Sequence, residues 1–257
     1  MNRTPSVLVL LPLAACSGSL TDLSGAGAGI NSAPPAAAVG GVWEGTDSNG
    51  HPVLALTTES GLLTWISLDT GEQGVGAVGI FGNDTNIGYT LVAPRGLALA
   101  DGSASAECDG EGSIRARESW FVSVNCITSL GGSIESVTEL TYDALHMRES
   151  RLGLISGDYD DSGLVFSVSP NGEIFEQDPV SGCVVNGQVS TLRRQFNIYD
   201  VSISYSNCTG DEVVLNGSTF TGLATLDDSV EPETAVIGLT GAVGEETYSL
   251  VLQLPRL

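Results

Sequence analysis

The chain has 257 residues and a formal net charge of −22, and all nine of its basic residues are arginine. Such an acidic surface repels nucleic acids and anionic membranes, which bind clustered cations, so we exclude nucleic acid as a partner. Beyond the first 40 residues, about 215 remain, enough for one large β domain or two small ones. Short apolar runs between clusters of Gly, Asn, Asp and Ser favour an all-β fold, either an antiparallel barrel or a sandwich.

The first 15 residues are predicted to be a signal peptide. Arg3 precedes an apolar run over residues 7–15, which is too short to cross a bilayer as a helix of about 20 residues. The tetrapeptide Leu13-Ala14-Ala15-Cys16 resembles the lipobox of bacterial lipoproteins. The resemblance implies cleavage before Cys16 and attachment of acyl chains to its thiol. An ordinary secretory signal followed by an incidental cysteine is the alternative.

Residues 16–40 are predicted to form the lipidated cysteine and a flexible linker, because small residues and proline dominate this stretch. Ser17 follows Cys16, where an Asp would indicate inner-membrane retention. The resemblance therefore implies a cell-envelope location, more specifically the outer membrane. The partner it implies is a lipid bilayer, bound through the acyl chains on Cys16.

Alternation of apolar and polar residues predicts strands that bury one face. The apolar rows are Trp120, Val122, Val124 and Cys126; Leu164, Phe166 and Val168; Tyr199, Val201, Ile203 and Tyr205; and Tyr248, Leu250, Leu252 and Leu254. Turns typical of antiparallel hairpins are predicted at Asn49-Gly50, Asp101-Gly102, Asn171-Gly172 and Asn216-Gly217. One short helix is predicted over residues 142–152.

A weak internal repeat divides the exported part into halves at 41–150 and 151–257. Gly41-Val42-Trp43 begins the first half and Gly157-Asp158-Tyr159 begins the second, and in each a strand, a glycine turn and another strand follow. The pattern predicts a duplicated β unit, arranged either as two small barrels or as one large one. Chance recurrence of glycine-aromatic strand starts is the alternative.

Four cysteines remain after Cys16, namely Cys108, Cys126, Cys183 and Cys208. An even number in an exported chain predicts two disulfides, and three pairings are possible. We favour the two local pairs, Cys108 with Cys126 and Cys183 with Cys208, since each closes a short loop within one half. A zinc site is disfavoured because the sequence has no C-x₂-C pair and its two histidines lie far from the cysteines.

Two motifs resemble ligand-binding loops. The glycines Gly74, Gly76 and Gly79 match G-x-G-x-x-G, but no helix is expected after them, so we interpret the segment as a glycine-rich strand. The residues from Asp158 to Gly163 resemble the start of an EF-hand loop, which makes Asp158, Asp160 and Asp161 weak Ca²⁺ candidates. The twelfth position is Ser169 instead of Glu, so a hairpin turn is favoured.

Gly41-Val42-Trp43 resembles the G-x-W that opens lipocalin-like barrels, and Arg256 could supply the arginine that packs on that tryptophan in such proteins. No catalytic residues are nominated, because G-x-S-x-G is absent and the only histidines are His51 and His146. No cofactor is indicated.

Three functions follow from these features. The first is a non-catalytic, membrane-tethered protein that binds a macromolecule or supports the envelope. The second is a barrel for a small apolar ligand. The third is a polysaccharide hydrolase with paired carboxylates.

Overall fold

The computed structural model describes residues 38–257, so the predicted signal peptide, Cys16 and nearly all of the linker lie outside the described residues. The described part is all-β, as the sequence predicts. Its strands form two groups of eight, one in each predicted half.

The first half forms a closed antiparallel barrel of eight strands. It closes because β1 pairs with β2 on one side and with β8 on the other. The strands are β1 (Gly41–Thr46), β2 (Pro52–Thr57), β3 (Leu62–Ser67), β4 (Gln73–Phe81), β5 (Asp84–Val92), β6 (Ser105–Arg115), β7 (Ser119–Thr128) and β8 (Ser133–Asp143).

The second half forms an antiparallel sheet in which consecutive strands also pair in order. Its two edge strands are joined by one bridge, between Tyr159 and Arg256, so the sheet curls almost to a barrel. The strands are β9 (Gly157–Asp161), β10 (Leu164–Val168), β11 (Glu173–Gln177), β12 (Val184–Thr191), β13 (Tyr199–Ser206), β14 (Thr219–Asp227), β15 (Thr234–Val243) and β16 (Glu246–Pro255).

The predicted alternation produces the two cores. In β7, Trp120, Val122, Val124 and Cys126 are all buried and the residues between them face outward. A barrel strand has one face toward the interior, so period-two sequences give each half its own apolar core. The halves are thus a duplicated unit, and the G-x-G-x-x-G segment lies in β4, as interpreted.

The prediction of a helix over residues 142–152 is largely wrong. Tyr142 and Asp143 end β8, and the connection contains a 3₁₀ helix (Ala144–Met147) and the short helix α1 (Leu152–Ile155). The Asp143 carboxylate accepts a hydrogen bond from the Leu145 amide at 2.8 Å, which turns the chain immediately after the strand.

All four glycines of the predicted turns have positive φ, between 84° and 93°. Asn49-Gly50 and Asn171-Gly172 form the tight hairpins β1–β2 and β10–β11, as predicted. Asp101-Gly102 instead lies in the long β5–β6 connection, and Asn216-Gly217 follows a 3₁₀ helix (Gly210–Leu215). The dipeptides therefore identify positive-φ turns correctly, but two of them are not hairpins.

The curled sheet of the second half, which we call the second barrel, packs beside the first barrel. Outward-facing apolar residues of β1–β3 form a third cluster with residues of the second half. Gly238 on β15 permits the close approach, because a Cβ there would lie 2.7 Å from Ile66 Cδ1. The Ser249 amide also donates to the Ala93 carbonyl at 3.1 Å, and its hydroxyl donates to the Gly71 carbonyl at 2.8 Å.

Each barrel has two ends, and equivalent ends lie on the same side of the molecule. We call one side the mouth end; its connections are residues 47–51, 68–72, 93–104, 129–132, 162–163, 178–183, 207–218 and 244–245. The opposite side, where the chain enters β1, is the base end; its connections are residues 58–61, 82–83, 116–118, 144–156, 169–172, 192–198 and 228–233. Arg95 and Glu212 form an ion pair between the barrels at the mouth end, and His146 stacks on Phe196 at the base end.

Among residues 38–257, no helix is long and apolar enough to span a bilayer.

Candidate functional site

The first barrel contains a cavity of about 160 Å³ that opens at the mouth end, which we call the cup. Its lower walls are apolar and its rim is polar. The lining residues are Asp47, Asn49, His51, Val53, Trp65, Ser67, Thr70, Glu72, Tyr89, Leu91, Leu99, Ala100, Cys126, Ile134 and Ser136. A concave apolar surface with a few polar groups is the usual form of a small-molecule site.

One wall of the cup is an aromatic pair. Trp65 on β3 and Tyr89 on β5 stack with centroids 6.2 Å apart and an interplanar angle of 8°. The strand between them, β4, contributes Gly74 at this level, where a Cβ would lie 2.5 Å from the Tyr89 ring. The G-x-G segment therefore serves the packing of the aromatic wall, because a larger residue would displace the tyrosine.

The hydrogen-bonding groups of this wall differ from those of the other two tryptophans within residues 38–257. Trp43 Nε1 donates to Thr57 Oγ1 at 3.0 Å, and Trp120 Nε1 donates to Thr85 Oγ1 at 3.1 Å. Within residues 38–257, the structure gives no such partner for the Trp65 indole N–H or the Tyr89 hydroxyl, although both side chains are only 7% exposed. Neither atom is fully buried, so both are accessible to solvent at the cup, as the polar ends of Tyr and Trp usually are when they lack a protein partner. Burial also raises the pKa of Tyr89, which keeps its phenol protonated.

The rim of the cup is acidic. His51 Nδ1 lies 2.8 Å from Asp69 Oδ2, and this hydrogen bond raises the pKa of His51 and lowers that of Asp69. The Asp47 carboxylate accepts hydrogen bonds at 2.9 Å from the amides of Asn49 and His51, which orders the β1–β2 hairpin. Burial raises the pKa of Glu72, because a carboxylate loses hydration there.

A disulfide forms part of the cup. Cys108 on β6 and Cys126 on β7 are directly opposite each other in the register, face the interior and are bonded. Cys183 and Cys208 are also bonded, and they join two mouth-end connections of the second barrel. The two favoured pairings are therefore those of the structure. The two disulfides do not occupy equivalent positions in the two halves. Cys108–Cys126 links two paired strands, whereas Cys183–Cys208 links two loops.

The mouth end of the second barrel contains a pair of acids in place of a cup. Asp161 and Glu176 face the interior near each other, Glu176 is 7% exposed, and its Oε2 has no partner among the described residues. Burial, with the nearby Asp161, raises the pKa of Glu176 to about 7. The Tyr205 ring lies close by; burial raises the pKa of its phenol, and these two acids raise it further.

The three weak Ca²⁺ candidates lie together on β9 and at its end. Asp158 accepts a hydrogen bond from Ser167 Oγ at 2.7 Å, and Asp160 accepts one from the Gly163 amide at 2.9 Å. Asp161 instead faces Glu176, so the three carboxylates do not converge. The described residues contain no group of three His, Cys, Asp or Glu side chains that could hold a metal ion.

Arg256 does not pack on Trp43, contrary to the lipocalin-like resemblance. Its guanidinium carbon lies 5.2 Å from the centroid of the Tyr159 ring, at the start of the second barrel. It also donates to the Ser156 carbonyl at 2.7 Å. Trp43 instead packs edge-to-face with Trp120 and Tyr142, on the barrel's own strands.

No known protein family matches the sequence, and no curated protein matches it. Among solved structures, the chain is similar to the immune modulator A of Aeromonas veronii, with 13% identity over 88% of this chain and 95% of that one. The TM-score is 0.32, and a likeness this distant carries no information on function.

Proposed function

We propose that this protein is a lipid-anchored protein of the bacterial envelope whose first barrel binds a small apolar ligand in the cup. Of the functions that the sequence left open, this is the one that the site favours. The observation that supports it is the aromatic wall, whose indole N–H and phenol lack protein partners within the described residues.

The size of the cup limits the ligand. About 160 Å³ corresponds to roughly five water molecules at about 30 Å³ each, and many ligand pockets hold several hundred Å³. The ligand is therefore a ring or a short branched chain, or one such end of a longer molecule that extends past the rim.

The rim selects by charge. Asp47 and Glu72 line the opening, Asp69 is bonded to the lining residue His51, and His51 is their cationic counterpart when protonated. A ligand that carries an amine or another donor beside its apolar part gains attraction there, whereas a carboxylate or phosphate is repelled. The ligand class is thus a small aromatic or apolar amine, or a neutral molecule with a hydrogen-bond donor.

The anchor is a separate part of the proposal. It is supported by the lipobox resemblance at Leu13-Ala14-Ala15-Cys16 and by the short apolar run before it. Acyl chains contribute about 0.8 kcal/mol for each buried CH₂, so two or more chains hold a protein stably on a bilayer. Intact mass of the membrane-extracted protein tests this part, because a lipoprotein begins at Cys16 and carries the extra mass of the lipid.

The ligand site is tested with three probes of similar shape: phenethylamine, 2-phenylethanol and phenylacetate. Calorimetric titration is expected to show the amine binding at least about tenfold more tightly than the acid, a difference of about 1.4 kcal/mol. The alcohol is expected to fall between them.

A matched pair of variants shows where the probes bind. Ser136→Phe places a ring inside the cup, whereas Ser123→Phe places the same ring on the outer face of the neighbouring strand. Binding is expected to be lost in the first variant and kept in the second. Equal binding to both variants, or no binding of any probe at millimolar concentration, would contradict the proposed site.

A further inference from the structure

A second cavity lies between the two barrels at the base end, and we call it the cleft. Its volume is about 140 Å³, close to that of the cup. Its lining residues come from residues 58–62 of the first barrel, from His146 and from residues 192–198 of the second barrel. Both halves of the chain therefore form the cleft, which is separate from the cup at the mouth end.

The surface of the cleft is mainly apolar. Ile198 belongs to the apolar cluster that joins the barrels, so the interface core continues into the cleft. Phe196 is half-buried, and Leu62 and Leu192 are 54% and 43% exposed. An apolar group that enters the cleft removes these leucines from water, which favours binding.

Two aromatic neighbours hold the imidazole ring of His146. The ring stacks on Phe196, with centroids 4.5 Å apart and an interplanar angle of 5°, and meets Tyr142 edge-to-face with centroids 5.8 Å apart. His146 Nδ1 lies 2.9 Å from the Tyr142 hydroxyl, which has no other acceptor within residues 38–257. We therefore assign the phenol as the donor of this hydrogen bond. Burial lowers the pKa of His146 to about 4, so the neutral ring carries its one proton on Nε2.

The Nε2 proton of His146 has no acceptor in the described part of the chain. The residue is 1% exposed, yet Nε2 is not fully enclosed, so this nitrogen contributes to the small area that the side chain keeps accessible. His146 lines the cleft, and its Nε2–H is thus a donor available to a molecule there. A donor in such a place gains free energy when a ligand supplies an acceptor.

Hydrogen bonds fix the two connections that carry these side chains. The Asn197 amide donates to the His146 carbonyl at 3.0 Å. The Ser150 amide donates to the Arg194 carbonyl at 3.0 Å, and its hydroxyl donates to the Arg193 carbonyl at 2.9 Å. The cleft is therefore preformed, and a ligand loses little affinity to the ordering of loops.

The charged residues that line the cleft are balanced. Glu59 and Arg193 are of opposite sign, and His146 is neutral at pH 7. Neither an anion nor a cation gains net attraction from this lining, in contrast to the acidic rim of the cup. The cleft therefore suits an uncharged molecule.

We propose that the cleft is a second binding site, for a small neutral molecule with an apolar body and a hydrogen-bond acceptor such as a carbonyl. The apolar body packs on Leu62, Leu192 and Phe196, and the acceptor receives the Nε2 proton of His146. About 140 Å³ corresponds to roughly five water molecules at about 30 Å³ each, so the ligand is a single ring or a short chain. It contacts both halves of the chain and stabilises their association. The proposal depends neither on the cup nor on the lipid anchor.

The experiment compares two probes of one shape, acetophenone and ethylbenzene, in which a methylene replaces the carbonyl. Calorimetric titration is expected to show acetophenone binding about three- to tenfold more tightly, the effect of one hydrogen bond to a neutral acceptor. In NMR spectra of the parent protein, the Nε2 proton of His146 is expected to shift downfield with acetophenone and not with ethylbenzene. Both probes are expected to bind Ser136→Phe, in which the cup is filled, as they bind the parent.

His146→Phe keeps an aromatic ring beside Phe196 and removes the donor. It is expected to bind the two probes with equal affinity. Leu62→Ser combined with Leu192→Ser leaves His146 unchanged and is expected to weaken both probes at least about fivefold, because less apolar surface is buried. Leu97→Ser is the matched control, since Leu97 is 62% exposed at the mouth end, and it is expected to bind both probes like the parent.

Equal affinity of the two probes for the parent protein, or a preference for acetophenone that survives in His146→Phe, would overturn the proposal. So would the absence of binding at millimolar concentration. Loss of binding in Ser136→Phe would also overturn it, because the probes would then occupy the cup. The cup itself is tested separately by phenethylamine, so the two proposals can fail independently.

Discussion

Glu176 is the residue at which we expect the largest effect of pH on the second barrel. Its side chain is 7% exposed and faces Asp161, and burial raises its pKa from 4.5 to about 7. The folded state therefore keeps a proton that the unfolded state releases between these values. Protonated Glu176 therefore stabilises the folded state relative to the unfolded state. This contribution is complete below pH 4.5 and is lost as the pH rises through 7.

The variant Glu176→Gln keeps the shape and a hydrogen-bond donor toward Asp161 but cannot ionise. A pKa difference of roughly 2.5 at 1.36 kcal/mol per unit corresponds to about 3 kcal/mol. At pH 8 we therefore expect the variant to be more stable than the parent by as much as about 3 kcal/mol. At pH 4.5 we expect the two proteins to differ little.

Urea denaturation at several pH values, followed by far-ultraviolet circular dichroism, measures the difference. Glu173→Gln is the matched control, because Glu173 is on the same strand, β11, and is exposed. It is expected to change stability by less than about 0.5 kcal/mol at any pH. If Glu176→Gln destabilised the protein at pH 8, or raised stability equally at pH 4.5, the assignment of a buried proton to this carboxyl would be refuted.

Three further predictions concern other parts of the molecule. Replacing Cys108 and Cys126 together by Ala is expected to lower the free energy of unfolding by about 3 kcal/mol, from the loop closed by their separation of 18 residues; an unchanged urea midpoint would contradict this. Gly238→Ala is expected to destabilise the protein by about 1–3 kcal/mol, because the new methyl overlaps Ile66 between the barrels. If the variant were as stable as the parent protein, the two barrels could move apart at no cost. In an NMR titration, His146 is expected to have a pKa of about 4 and His51 one above its ordinary value; two ordinary midpoints would show that neither environment is as described.

The fold could be predicted from the sequence largely because its strands are amphipathic. Tyr199, Val201 and Ile203 alternate with polar residues, and in a barrel wall that alternation directly separates interior from exterior. The start of each half could also be predicted, since Gly41-Val42-Trp43 and Gly157-Asp158-Tyr159 begin equivalent first strands. The closure of the first barrel could not be predicted from the sequence. The pairing of β1 with β8 joins residues about 100 apart in the chain, and no local sequence pattern indicates it.

The residues that line the cup were not predicted, for a similar reason, although a barrel for a small apolar ligand was one of the expected functions. Trp65 and Tyr89 are on strands separated by β4, and nothing local to either residue indicates that they stack. The alternate glycines Gly74 and Gly76 were the one indication in the sequence. Glycine has no side chain, so two glycines on the inner face of a strand leave room for large side chains on the neighbouring strands.

The lipocalin-like resemblance assigned Arg256 to the wrong barrel. The last strand of a duplicated chain returns to the first strand of its own unit, so Arg256 meets Tyr159, the counterpart of Trp43.

The bridge between Tyr159 and Arg256 has a consequence for how the two halves fluctuate. In the first barrel, five residue pairs join the first strand, β1, to the last strand, β8. In the second, one β-bridge between Tyr159 and Arg256 and the contacts of the Arg256 guanidinium group join the two edge strands. Transient parting of strands therefore costs least along this line, and water reaches the interior of the second unit there first. The two copies of one architecture therefore differ in how extensively their first and last strands are joined.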